Sequence, residues 1–172
     1  AVIVGFNTRF GRGREGTPEL LQQWGNEIGF ETVICQPVKV GDDVVSSTRI
    51  RKVLQAGRVE IARELLGRHY RLRGRVVHGD ARGRRLGYPT ANIDAADQLI
   101  PAEGVYATVA RVEGRDYASV TSISSRVTFY SESDAPVVVE THLMDFGGDL
   151  YEQTCSLRFA HRLREQRRFP DQ

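Results

Sequence analysis

At 172 residues the chain has room for one domain or two small ones, and with 40% hydrophobic and 27% charged residues its composition is ordinarily globular. A net charge of +2 is too small to argue for nucleic acid, and no apolar run approaches the roughly 20 residues of a membrane span. Cys35 and Cys155 stand far apart, which argues against a disulfide framework and makes a reducing cytoplasm the expected setting.

Val2-Ile3-Val4 followed by Gly5 has the pattern of a buried strand opening onto a loop, and a signal peptide is not expected. A polar loop runs on through Arg14. Thr17-Pro18 then starts a helix, a capping hydroxyl followed by proline at the first helical position. Leu20, Leu21, Trp24 and Ile28 recur at helical spacing, so Trp24 is expected in the core, and Gly29 is the stop. Thr32-Val33-Ile34-Cys35 reads as the next buried strand. Strand, helix, strand suggests the tail of an α/β unit with a parallel sheet.

Ser46-Ser47-Thr48-Arg49-Ile50-Arg51 opens a second helix, with Ile50, Val53 and Leu54 facing inward and Gly57 at its end. Hydroxyls and arginines at a helix N-terminus also suit an anion, so a structural cap and an anion site both stand. Val59 to Leu66 makes a third short helix with Ile61 and Leu65 on its inner stripe. The pattern then changes to period two. Tyr70, Leu72, Val76 and His78 alternate with Arg71, Arg73, Arg75 and Val77, as in a half-buried antiparallel strand. The domain boundary is therefore expected near Gly67-Arg68, giving domains 1–66 and 67–172.

The next stretch, His78 to Asn92, carries Gly79, Gly83 and Gly87 together with Arg82, Arg84 and Arg85. Glycines spaced this way let backbone N–H groups converge on an anion, and arginines add forked donors suited to phosphate. Thr90 and Asn92 follow Pro89 and supply a hydroxyl and an amide oxygen, hard donors that Mg²⁺ accepts beside nucleotide phosphates. A plain glycine-rich hairpin loop with a solvated basic rim fits the same residues.

Gly104 to Val112, Tyr117 to Ile123, Val137 to Met144 and Tyr151 to Ala160 read as further strands, with turns at Gly114 and at Gly147-Gly148-Asp149. Evenly spaced strands without intervening helices predict a small closed or nearly closed barrel. In the strand from Val137, Val137, Val139 and Leu143 share one face, while Glu140 and His142 share the other. By pattern alone Glu140 is an outward charge.

Gly79-Asp80-Ala81-Arg82-Gly83-Arg84 with Leu86-Gly87-Tyr88-Pro89-Thr90-Ala91-Asn92 closely resembles the signature of riboflavin kinases. The bacterial form of that kinase is usually the C-terminal half of a bifunctional riboflavin kinase/FMN adenylyltransferase. Leu99-Ile100-Pro101, Gly104-Val105-Tyr106, Val139-Glu140-Thr141-His142-Leu143, Asp149-Leu150-Tyr151 and Arg162-Leu163-Arg164 agree in spacing. Gly5 to Gly11 resembles the flavin-side loop of the adenylyltransferase half, with Thr8 where that family carries an aromatic. The segment at Ser47, Thr48 and Arg51 is similar to one that contacts ATP phosphates in nucleotidylyltransferases.

The resemblance implies an α/β remnant, a partial nucleotidylyltransferase-like parallel sheet, followed by an all-β, six-stranded Greek-key barrel whose usual C-terminal helix is missing. It implies Mg²⁺-dependent transfer of the ATP γ-phosphate to the riboflavin 5′-hydroxyl, giving FMN and ADP, in the cytoplasm and without nucleic acid or membrane. Gly79, Asp80, Ala81, Gly83, Arg84, Gly87, Tyr88 and Pro89 would hold the nucleotide, Thr90 and Asn92 the metal, and Glu140 would be the catalytic base. FMN adenylyltransferase activity is not expected from these residues, because His69, His78, His142 and His161 form no His-x-Gly-His motif. The family usually has Gly-Thr-x-Pro-Thr-Phe where this chain has Ser124-Ser125-Arg126-Val127-Thr128-Phe129, which implies a looser pocket. An inactive flavin- or nucleotide-binding module is therefore the first alternative, and a basic nucleic-acid-binding barrel the second.

Overall fold

The structure, a computed structural model, describes residues 1–79, 88–95, 97–125 and 136–166. Two compact units divide it, Ala1–Ser46 and Ser47–Gln172.

In the first unit β1 (Val2–Gly5) pairs in parallel with β2 (Thr32–Cys35), Val2 opposite Thr32 and Gly5 opposite Cys35. Between them runs α1 (Pro18–Ile28). The Thr17 hydroxyl accepts the Leu20 N–H at 3.2 Å, and the Gly29 N–H closes the helix on the Gly25 carbonyl. These ends lie where the capping residues predict. The predicted burial does not hold. Ile28 is 74% exposed and Ile3 70%, and Trp24, 40% exposed, sets its edge against Phe10 at 6.1 Å. One helix on two strands covers a single side of the sheet, leaving the cross-strand partners Ile3 and Val33 exposed on the other. A further antiparallel pair, β3 (Lys39–Val40) and β4 (Asp43–Val44), is too short to show a period in sequence.

The second unit begins with α2 (Ser47–Gln55) and α3 (Val59–Leu66). Six strands follow: β5 (Arg71–Val77), β6 (Ala91–Asp94), β7 (Gly104–Val112), β8 (Arg115–Ser125), β9 (Val137–Leu143) and β10 (Thr154–Arg164). They close into an antiparallel barrel in the order β10-β5-β6-β9-β8-β7. Three consecutive strands lie side by side and β10 returns beside β7, which is the Greek key. Along β7, Tyr106, Thr108, Ala110 and Val112 point inward while the residues between them do not. Val112 faces Arg115 across a two-residue turn, Glu113-Gly114, whose φ values of 49° and 80° are both positive. Such a turn matches the twist of the strands it joins, and glycine at the second position meets its backbone demand without strain.

Leu54, Val59 and Ala62 belong to the same buried cluster as Leu72, Tyr106, Leu157 and Phe159. Packing therefore assigns α2 and α3 to the barrel unit, while the periodicity changes only at Gly67-Arg68. The inner stripe of α3 is Val59, Ala62 and Leu65; Ile61 is half-buried. The Tyr70 and Tyr106 hydroxyls donate to the carbonyls of Leu99 and Ala102, pinning the connection from β6 to β7, and burial pushes both phenols above the ordinary tyrosine range. Burial likewise pushes the Cys155 thiol up to about 11, so it packs as an inert apolar group.

One strand has no counterpart among the expected ones, and the bounds of another are corrected. β6 shows no alternation, because Ala91, Asn92 and Ile93 are all buried. β10 starts at Thr154 and runs to Arg164, since Tyr151 and Glu152 form a turn with Glu152 at φ 64°.

Four hydroxyls cross the barrel interior. Thr108 Oγ1 lies 2.8 Å from Ser119 Oγ and 2.7 Å from Thr121 Oγ1, and the Thr121 hydroxyl donates to Thr141 Oγ1 at 3.0 Å. All four residues are buried. Thr121→Val keeps the shape but strips a partner from Thr108 and Thr141. A loss of about 1–3 kcal/mol is expected in urea denaturation; a change under about 0.5 kcal/mol would mean the ladder contributes nothing to stability.

Candidate active site

Strand β6 has few partners, and they are informative. Its Asn92 stands opposite Val77 of β5 on one side and opposite Glu140 of β9 on the other, while Ala91 faces Thr141. Directly opposed residues of an antiparallel pair share a face. Ala91 and Thr141 point into the barrel, so Asn92 and Glu140 stand together on its outside. Two residues predicted for different roles, and far apart in sequence, are thus cross-strand neighbours.

Asn92 is only 8% exposed although it faces outward. Gly79 covers it: a Cβ built on Gly79 would fall inside the Asn92 carboxamide. The glycine serves close approach of the neighbouring side chain. Glu140 is half-buried, and among the described residues no ion pair engages it.

His142, two residues along β9 on the same outward face, reaches the segment entering β6. Its Nδ1 donates to the Pro89 carbonyl at 2.8 Å, and its ring meets Tyr88 edge to face at 5.7 Å. His78, expected to face inward, is exposed and stacks on Tyr151 with centroids 3.9 Å apart. Neither contact has a sequence signal, since each joins residues distant along the chain.

Two clefts flank the β6–β9 seam. The larger, about 450 Å³, is lined by Val76, Thr90, Thr141 and Leu143 and by the Phe146–Tyr151 segment. The smaller, about 260 Å³, is walled by Val77, Ile93, Ile100 and Val138 and reaches Asn92. Thr90 and Asn92 therefore line different clefts. Asp80, Ala81, Gly83, Arg84 and Gly87 lie outside the described residues, as do Arg126, Val127, Thr128 and Phe129. Ser124 and Ser125 continue the regular ladder of β8, opposite Val138 and Val137. Ser47, Thr48 and Arg51 lie on the first turns of α2, all exposed, and line neither cleft.

Fold and site define a small Greek-key barrel whose outer seam sets a carboxylate beside a carboxamide between two clefts. The riboflavin kinase family matches residues 66–172, and residues 1–49 match the FAD synthetase family. The chain belongs to the riboflavin kinase family. It is 38% identical, over 166 residues, to the bifunctional riboflavin kinase/FMN adenylyltransferase of Pseudomonas fluorescens, covering 96% of this chain and 53% of that one. It is 37% identical to the protein of the same description from Escherichia coli K12, covering 98% and 53%. The chain thus spans about half the length of the curated relatives it matches. The crystal structure of a macrolide-efflux protein from Streptococcus pneumoniae superposes with a TM-score of 0.84 at 35% identity, over 98% of this chain and 54% of that one. No helix among the described residues is long and apolar enough to cross a membrane.

Proposed function

We propose that residues 67–172 form a riboflavin kinase domain, transferring the γ-phosphate of ATP to the riboflavin 5′-hydroxyl to give FMN and ADP. On this reading the strand–helix–strand unit, residues 1–46, belongs to an FMN adenylyltransferase domain, while α2 and α3 pack with the barrel. The observation that carries the proposal is the pairing of Asn92 with Glu140 on a seam between two clefts. A kinase needs two substrates meeting at one phosphate, with a proton acceptor at the junction.

The smaller cleft, walled by valine and isoleucine, suits the flat apolar flavin ring. The larger cleft, lined by Thr90 and continuous in sequence with the glycine-rich run, suits the nucleotide. Glu140 accepts the proton of the 5′-hydroxyl as its oxygen bonds to the γ-phosphorus, and the bond from that phosphorus to the bridging β,γ-oxygen breaks to release ADP. The Thr90 hydroxyl and the Asn92 carboxamide oxygen, one on each cleft, are hard, neutral donors of the kind Mg²⁺ accepts beside nucleotide phosphates, and they would hold the metal only where the two clefts meet. When bound, the metal neutralises charge on those phosphates. No nucleic acid is assigned to the arginine face of β5, where Arg75 pairs with Glu152 at 3.1 Å. A cytoplasmic setting goes with the same reading and with the free thiols of Cys35 and Cys155.

Incubation with riboflavin, ATP and Mg²⁺ is expected to yield FMN by chromatography. Binding of both ligands without FMN above a no-protein control would leave the inactive module as the answer. Thr90→Ala is expected to weaken Mg²⁺-ATP more than riboflavin in calorimetric titrations. Equal losses would indicate a folding defect and remove the metal role.

A further inference from the structure

We infer that His142 is a positioning residue, a clamp that holds the Tyr88-Pro89-Thr90 entry to β6 against β9 and so sets the Thr90 hydroxyl relative to Glu140. The inference rests on the riboflavin kinase reading above.

The β6–β9 ladder is short: its paired residues are Ala91 with Thr141 and Asn92 with Glu140. One step further out, the antiparallel register brings Thr90 level with His142. There the main-chain ladder stops and a side chain takes over, as His142 Nδ1 reaches the Pro89 carbonyl at 2.8 Å. Pro89 has no N–H to pair with a neighbouring strand, so its carbonyl is its only main-chain hydrogen-bonding group. The imidazole uses that group to fix the peptide joining Pro89 to Thr90. A carbonyl only accepts, so Nδ1 carries the proton in this contact. Tyr88 packs on the same ring at 5.7 Å, making a second contact to the entry segment. Glu140 and His142 project from one face of one strand. The base and the clamp are therefore rigidly related, and the clamp passes that geometry to Thr90. Groups that orient a metal ligand in this way alter metal affinity or activity by about 10–100-fold when removed.

The test separates the hydrogen bond from the ring contact. His142→Phe keeps a ring against Tyr88 and loses the donor. His142→Asn loses the ring and places an amide N–H near the position of Nδ1. His142→Phe is expected to raise the KM for Mg²⁺-ATP and the half-saturating Mg²⁺ concentration by about tenfold. The KM for riboflavin and the kcat at saturation stay within threefold of the parent, and His142→Asn returns the Mg²⁺-ATP parameters to within threefold. The reverse pattern, with Phe silent and Asn defective, would show that the ring only packs and would overturn the inference. Loss of kcat in all variants without a change in KM would overturn it as well. Should His142→Phe fail to fold, His142→Ala removes the same donor without added bulk and is expected to show the same Mg²⁺-ATP defect.

If the parent protein makes no FMN, the kinase reading fails, and the clamp is decided by amide exchange from Thr90 to Asn92. Exchange at least tenfold faster in His142→Phe, with protection kept in His142→Asn, supports it. Equal exchange in parent and variants rules it out.

Discussion

Glu140→Gln is expected to lower the turnover of riboflavin to FMN by about 10²- to 10⁴-fold, the usual contribution of a positioned general base. The amide keeps the size and most of the hydrogen bonding of the carboxylate but cannot take the proton. Because the loss falls on the transition state, affinities for riboflavin and Mg²⁺-ATP change little. Cross-strand pairing sharpens the expectation. Glu140 faces Asn92 on β6 and Ser122 on β8, so its backbone is held on both sides and the substitution has no strand edge to disturb. Stability is therefore expected to change by less than about 0.5 kcal/mol. Were Glu140 only an outward charge on the barrel wall, the same substitution would leave turnover intact. A variant within threefold of the parent removes Glu140 from the mechanism.

What the sequence made legible follows the range of the physics involved. The ends of α1 are set by Thr17, Pro18 and Gly29, whose capping acts within one turn, and they lie where those residues put them. β7 and β8 alternate strictly because one face packs inward and the other does not, so they too were legible. β6 was not, because both its faces are covered: Ala91 and Ile93 by the barrel core and Asn92 by Gly79. A strand buried on both sides loses the period that identifies it. The apolar stripe of α1 was visible, yet Trp24 and Ile28 remain exposed, because burial depends on what lies opposite and amphipathicity reports only one partner. Inside the barrel, Thr108, Thr121 and Thr141 occupy inward positions that alternation marks as apolar. Their hydroxyls satisfy one another, and no local pattern encodes that. For the candidate site, Thr90 and Asn92 are singled out by donor chemistry and by family resemblance and Glu140 by resemblance alone, whereas the pairing of Asn92 with Glu140 and the bond from His142 to Pro89 depend on strand register.

The glycine-rich run supplies the other large expected effect, and for a reason different from the one its spacing suggests. Glycines there read as room for a phosphate, but at Gly79 the room is taken by Asn92. Gly79→Ala places a methyl group inside that carboxamide, so either Asn92 leaves its rotamer or β6 shifts away from β5, where Asn92 pairs with Val77. Overpacking of this kind costs about 1–3 kcal/mol. If Asn92 is the metal ligand proposed above, the functional loss is expected to be larger in proportion, because a misplacement of such a group by about 1 Å lowers turnover by about 10²-fold. A double-mutant cycle separates the two effects. Asn92→Ala in the Gly79→Ala background vacates the space, so stability returns toward that of Asn92→Ala alone and the pair is non-additive by about 1–3 kcal/mol. Turnover does not return, since the carboxamide oxygen is gone. Additive stabilities would mean that Gly79 and Asn92 do not share that space. A Gly79→Ala variant with parental stability and turnover would show that Asn92 works equally well from another rotamer, and the cradle would then have no part in placing the oxygen beside Glu140.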